Sequence, residues 1–213
     1  MQNAKEIRKN IRESRRKVSV SDREVWNNLI CNRFSNSIEF QKASTISGFL
    51  AFDGEADPLA LMKAACGAGK QVFVPIIIAK QQPLKFAPWS PNAAMKSNRF
   101  GILEPDVAES DLIEGSQLDF VITPLVAFDE SCNRIGVGGG FYDRTFAFLN
   151  ESIGAEQGTS IAEGDGSKAS LSRSTCLIGF AYELQKIASI KSNDWDVALA
   201  GVMTETDTYQ RHH

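Results

Sequence analysis

The segment Arg134-Ile-Gly-Val-Gly-Gly-Gly-Phe-Tyr-Asp-Arg144 concentrates residue types that can do chemistry. Glycines at 136, 138, 139 and 140 let the backbone take positive φ and come close to a ligand. Consecutive amides can then point into one concavity, and the helix that follows adds its positive end, which together make a seat for phosphate oxygens. Asp143 stands beside that seat, where a carboxylate suits a magnesium ion bridging phosphates. A plain flexible glycine loop has the same composition. Neither standard nucleotide motif fits here: a GxGxxG fingerprint needs glycine where Phe141 stands, and a P-loop needs GK[ST]. Gly67-Ala-Gly-Lys70 comes closer to a P-loop, but Gln71 replaces the hydroxyl and Ala64 stands where the opening glycine belongs. A helix ending on glycine accounts for it better.

Other candidates are weaker. Residues 1–17 carry seven basic side chains against Glu6 and Glu13, a local net charge of +5 on a chain whose total is −3. Such a helix is either a solvated face or an anchor for an anion, since arginine forks suit phosphate and carboxylate oxygens. Glu55 follows a buried strand, at the end where open α/β sheets bind ligands, and a carboxylate there can accept paired hydrogen bonds from an amino-substituted heterocycle; an exposed turn residue is the plainer reading. Asp194-Trp195-Asp196 either adds a second metal carboxylate or opens a strand. Histidine is confined to His212 and His213. That disfavours a Ser-His-Asp hydrolase, a papain-like protease or a His-zinc site, and leaves positioning, cations, backbone amides and carboxylates to do the work.

The elements that must position these groups follow from periodicity. The 213 residues are 43% hydrophobic and 23% charged, values that set aside disordered, collagenous and coiled-coil chains. Lys5–Lys17 has helical spacing, with Ile7, Ile11 and Val18 on one stripe and Arg8, Arg12, Arg15 and Arg16 on the other faces. Ser21 and Glu24 form a capping-box signature for a second helix, whose Val25, Trp26, Leu29 and Ile30 are placed toward a core. Thr45–Phe52 reads as a buried strand, a helix runs from Asp57-Pro58 to about Gly67, and Gln71–Ile78 is the next strand, a parallel βαβ pattern. A short strand near Leu84–Phe86, a buried strand at Asp119–Pro124, a helix from about Tyr142, and strands at Cys176–Ala181 and Val197–Thr204 follow. Residues 151–175, small and polar, read as a flexible surface insertion. One α/β domain over 1–213 is expected. The net charge argues against general nucleic-acid binding, no apolar run approaches the ~18–20 residues of a membrane span, and four scattered cysteines fit a reduced, cytoplasmic protein.

Together these segments resemble the 5-formyltetrahydrofolate cyclo-ligase (5,10-methenyltetrahydrofolate synthetase) family. The resemblance rests on Lys5–Arg16, ISGFLAFDGEADP (46–58), GKQVFVP (69–75), FGILEPD (100–106), PLVAFDESCNRIGVGGGFYDR (124–144) and WDVALAGVMTE (195–205). It implies a three-layer α/β/α fold with a mostly parallel sheet, similar to the sugar-phosphate isomerase and CoA-transferase group. It also implies ATP- and magnesium-dependent conversion of 5-formyltetrahydrofolate to 5,10-methenyltetrahydrofolate, with ADP and phosphate released, by a monomer whose partners are a reduced folate and ATP. Carried over by position, Lys5, Arg8, Arg134, Gly136, Gly138, Gly139, Gly140 and Tyr142 would contact ATP. Leu50 and Glu55 would bind folate together with Gly138 to Gly140 and Phe141. Arg134, Tyr142 and Asp143 would serve catalysis, and Asp143 and Asp196 would hold Mg2+. The chain departs from the family pattern at Phe141, which replaces the first of two tyrosines, at Trp195 in place of histidine or asparagine, at Ala200 in place of a second aspartate, and at Lys5, shifted by one position. A folate- or nucleotide-binding module without turnover, and an ATP-independent isomerase or acyl-transferase of similar fold, are the alternatives.

Overall fold

The structure is a computed structural model that describes residues 3–97, 103–150 and 175–211. Three helices open it: α1 (Ala4–Lys17), α2 (Val20–Ser35) and α3 (Ile38–Lys42). Asn3 caps α1 by accepting from the Glu6 amide at 2.9 Å, and Arg15, Arg16 and Lys17 fill the last turn, where cations complement the helix dipole. The cap of α2 is Ser19, which accepts from the Asp22 amide at 3.0 Å, so the helix begins before the predicted Ser21 box. Its inner face is Ile30, Cys31 and Phe34, with Trp26 partly buried. Val25 and Leu29, placed toward the core by spacing alone, are exposed.

Strands β1 (Thr45–Ser47), β2 (Gln71–Ile76), β3 (Lys85–Pro88), β4 (Met95–Ser97), β5 (Leu103–Pro105), β6 (Ile113–Glu114), β7 (Phe120–Pro124), β8 (Ala127–Phe128), β9 (Arg134–Ile135), β10 (Cys176–Phe180), β11 (Gly201–Met203) and β12 (Thr208–Gln210) follow, with α4 (Leu59–Gly67) between β1 and β2 and α5 (Phe141–Thr145) after β9. The main sheet has the order β12-β11-β10-β7-β1-β2-β3-β6. Its pairings from β11 through β10, β7 and β1 to β2 are parallel, and β12, β3 and β6 add antiparallel edges.

Both sheet faces are covered, and side chains alternate between two cores with the two-residue period of a strand. Val72, Val74, Phe120, Ile122, Ile178 and Phe180 pack with α2, α3 and α4, while Phe73, Val121, Leu177 and Val202 pack with Phe128, Phe146 and Leu199 on the other side. The predicted strand Thr45–Phe52 stops at Ser47. At Gly48 a Cβ would lie 2.4 Å from the Met62 sulfur, so α4 rests on bare backbone as the chain leaves the sheet. Asp53 and Gly54 then turn with positive φ. Gly67–Lys70 is a helix end: Gly69 has φ +79, and the amides of Gly69 and Lys70 bond the carbonyls of Cys66 and Ala65. The expected 151–175 insertion lies outside the described residues except for Thr175.

The parallel strands run outward in both directions from the β1–β7 pair, with β2 on one side and β10 and β11 on the other. A crevice forms at such a reversal, beyond the carboxyl ends of the strands, and there open α/β sheets bind ligands. The chain leaving β1 (Phe49, Leu50), β2 (Ile77) and β7 (Leu125) lines one cavity at that point.

Candidate active site

The cavity measures about 1220 Å³. One wall is the loop after β1 (Phe49, Leu50, Phe52, Glu55) with Pro75, Ile77 and Leu84. The glycine loop, the start of α1 (Ala4, Ile7, Arg8) and a strap from Ile187 to Asp196 also line the cavity. Among the predicted site residues, Leu50, Glu55, Arg8, Arg134, Gly136, Gly138, Gly139, Gly140, Phe141, Tyr142, Asp143 and Asp196 all border this space. Lys5 does not: it lies exposed on α1, away from the lining, because the helix turns Ala4, Ile7 and Arg8 inward instead. Apart from Asp194-Trp195-Asp196 at its end, the strap carries no motif in the sequence; its other signals are Ile187 and Ile190, which pack with Ile7 and Ile11.

The glycine loop is held from outside and open within. Arg8 Nε donates to the Gly136 carbonyl at 2.8 Å, and Arg144 Nη2 donates to the Gly139 carbonyl at 2.7 Å. Gly138 (φ +108) and Gly140 (φ +62) are in conformations that a side chain would strain, and a Cβ on Gly139 would come within 2.6 Å of the Phe141 ring. None of the amides of residues 136–140 donates a hydrogen bond to a described residue. Residues 136–140 all line the cavity, and consecutive amides free of protein partners are donors suited to an oxyanion. Helix α5 is only five residues long, so the loop amides and nearby guanidinium groups, more than a helix dipole, set the positive character of this end. Thr145 pins α5 in place, accepting from the Leu84 amide at 2.8 Å.

The Arg134 side chain, 6% exposed, is paired with Asp143 through Nη2 and Oδ1 at 2.6 Å, and its Nη1 donates to the Val197 carbonyl. Burial depresses the Arg134 pKa; Asp143 and Asp196 oppose that. The Val197 amide also donates to Asp143 Oδ1 at 3.2 Å. Oδ2 of Asp143 takes no hydrogen bond from a described residue. Asp196 caps the turn through Oδ2, accepting from the Asn193 amide at 2.8 Å, so Asp194-Trp195-Asp196 is a turn and not a strand start; β11 begins only at Gly201. No cluster of three or more His, Cys, Asp or Glu side chains occurs among the described residues. Magnesium commonly takes one or two carboxylates and completes its shell with water and phosphate oxygens, so a pair of aspartates facing one arginine fits that ion. The Tyr142 hydroxyl is buried without a hydrogen-bond partner among the described residues, and burial raises its pKa strongly.

Glu55, which reads in the sequence as an exposed turn residue, is 8% exposed. Burial raises its pKa, and Arg15, with Nη1 3.9 Å from Glu55 Oε1, opposes that. Arg15 itself reverses its predicted place on an outer face of α1: it is 1% exposed, one turn from Ile11 on the inner side. Cys132 is buried beside the loop, and burial pushes its thiol up to about 11, the mark of an unreactive cysteine at neutral pH. No helix among the described residues is long and apolar enough to cross a membrane.

The fold is an α/β sheet with a glycine-rich loop, carboxylates and an apolar wall gathered at one crevice, the place where enzymes of this class bind small molecules. A sequence profile described as the 5-formyltetrahydrofolate cyclo-ligase family matches residues 1–205, and the chain belongs to that family. It is 30% identical over 204 residues to the 5-formyltetrahydrofolate cyclo-ligase of Haemophilus influenzae, covering 95% of this chain and 97% of that one. It is 30% identical over 201 residues to the protein of that name from Escherichia coli strain K12, covering 94% and 99%. The solved structure of Aquifex aeolicus 5,10-methenyltetrahydrofolate synthetase superposes with a TM-score of 0.74 at 21% identity, over 99% of this chain and 93% of that one, and supports the fold. Membership makes the chain an enzyme whose reaction is the cyclisation of 5-formyltetrahydrofolate.

Proposed function

We propose that the cavity joins ATP and 5-formyltetrahydrofolate end to end, with the triphosphate on residues 136–140 and the folate ring on the Leu50–Glu55 wall. Five loop amides with no hydrogen-bond partner among the described residues, in a cavity that Arg8 and Arg134 also line, carry this reading. The formyl oxygen is a poor leaving group. Its attack on the γ-phosphorus breaks the bond to ADP and leaves the oxygen phosphorylated. The second folate nitrogen then adds to the activated carbon and loses its proton, and the carbon–oxygen bond breaks to release inorganic phosphate and the methenyl product.

Such a transfer depends on in-line positioning and charge neutralisation more than on a proton-transfer residue, in keeping with a chain whose two histidines are its last residues. Leu50 packs on the pteridine, and Glu55 accepts its N–H groups. The glycine-loop amides receive phosphate oxygens, and Arg8 adds positive charge at the nucleotide end. Arg134, fixed by Asp143, faces the transferring group, and the unpartnered Tyr142 hydroxyl donates to an oxygen in the same space. Phe141 keeps a ring between loop and folate, backed by the Arg144 guanidinium 5.2 Å from its centroid. Asp143 and Asp196 would hold Mg2+, which when bound supplies charge neutralisation to the phosphates.

The test is product absorbance with purified protein, 5-formyltetrahydrofolate, ATP and magnesium. Methenyl product is expected only when both ATP and magnesium are present. Turnover without ATP would overturn the phosphorylation step, and binding of both ligands with no product would leave a binding module.

A further inference from the structure

Arg15 is the largest fully buried side chain, and no residue of the proposed reaction accounts for its position. The chain holds it firmly: Arg23 Nη2 donates to the Arg15 carbonyl at 2.9 Å, and Arg15 Nη2 reaches the Asp53 carbonyl at 3.3 Å. Nε and Nη1 are nonetheless buried without a hydrogen-bond partner among the described residues. Nη1 stands 3.9 Å from Oε1 of Glu55, while Oε2 is 3.4 Å from the Phe52 amide. As a stabilising device this is poor, because a buried ion pair repays desolvation only with close geometry and satisfied donors. It does place a fixed positive charge behind the one carboxylate of the folate wall. Arg15 does not line the cavity; Glu55 does.

We infer that Arg15 is a positioning residue, which keeps Glu55 ionised and aimed into the cavity as the acceptor for the folate ring's N–H groups. This rests on the reading of Glu55 as the folate carboxylate. The charged and titratable groups that act on Glu55 are Arg15 and Arg12 from α1, Asp53 from its own turn and Tyr142 from α5. Burial and Asp53 push the carboxyl up, while Arg15 and, less, Arg12 pull it down. Without Arg15 the carboxyl would hold its proton to higher pH, and a protonated acid loses acceptor capacity toward the ring.

The test is steady-state kinetics from about pH 5 to about pH 9 on the full chain and on Arg15→Met, Arg15→Lys and Glu55→Gln. Arg15→Met is expected to raise the KM for 5-formyltetrahydrofolate about tenfold near pH 6 and to approach the unaltered protein near pH 9. The KM for ATP should not move, and Arg15→Lys should restore most of the profile. Glu55→Gln should raise the folate KM at every pH. If it does so while Arg15→Met keeps the unaltered pH profile, the role of Arg15 is overturned and that of Glu55 stands. A normal folate KM in Glu55→Gln would overturn both. Should Arg15→Met fail to fold, carbon-13 NMR titration of Glu55 in the unaltered protein, assigned with Glu55→Gln, decides the matter: an ionised carboxyl at neutral pH supports the inference, and a protonated one refutes it.

Discussion

Asp143 has two roles that a single substitution separates. It neutralises Arg134, whose side chain is 6% exposed, and it is the carboxylate proposed to face magnesium. Asp143→Ala leaves a buried guanidinium without its partner and is expected to cost about 3 kcal/mol of stability, read by denaturant unfolding. Asp143→Asn keeps the shape, and if the metal role holds, the magnesium concentration for half-maximal rate should rise at least about tenfold. A lower stability with an unchanged magnesium requirement would confine Asp143 to holding Arg134. At this scale the sequence was informative where backbone conformation decides the residue: glycine at 138 and 140 is legible because positive φ costs glycine little and other residues much. Glu55 was legible as a candidate from its place after a buried strand, but its burial was not. Arg15 was not legible at all: it looks like a surface charge in its own segment, and only contact across 40 positions of sequence buries the two together.

Helix α1 is tied to the glycine loop by the hydrogen bond from Arg8 Nε to the Gly136 carbonyl and by packing of Ile7 and Ile11 with Ile135. Arg8→Gln should raise the KM for ATP about tenfold with little effect on the folate KM at saturating ATP. A change in melting temperature alone would give Arg8 a purely structural task. At the sheet, Gly179 in β10 lies where a Cβ would come within 2.7 Å of Leu125, 2.9 Å of Leu199 and 3.0 Å of Val202. Gly179→Val is therefore expected to lower stability by about 1–3 kcal/mol in urea unfolding, with both KM values of the folded enzyme preserved. Elements whose pattern is local were readable: α1, α4, β2 and β7 fall within a few residues of their predicted spans. The strand at Thr45–Phe52 was overextended because its apolar run continues as a wall of the cavity after the backbone has left the sheet. Of the strap from Ile187 to Asp196 only its end, Asp194-Trp195-Asp196, was marked in the sequence; Ile187–Asn193 was missed because nothing in its composition marks a segment placed by packing of Ile187 and Ile190 with Ile7 and Ile11.

At the scale of the whole molecule, strand order does the decisive work. The reversal at the β1–β7 pair brings the loop after β1, the loop after β9 and the start of α1 to one crevice, although they lie some 130 residues apart in the chain at the extremes, as Arg8 and Gly136 do. The parallel βαβ unit was legible from its apolar strands and intervening helix; the edges β12, β3 and β6 depend on pairings that periodicity does not encode. The most direct measurement is a crystal structure with a non-hydrolysable ATP analogue, magnesium and 5-formyltetrahydrofolate. Phosphate oxygens are expected within hydrogen-bond distance of the amides of residues 136–140, with the formyl oxygen in line with the terminal phosphorus and the ring against Leu50 and Glu55. A nucleotide bound elsewhere, with those amides facing only water, would contradict the central claim.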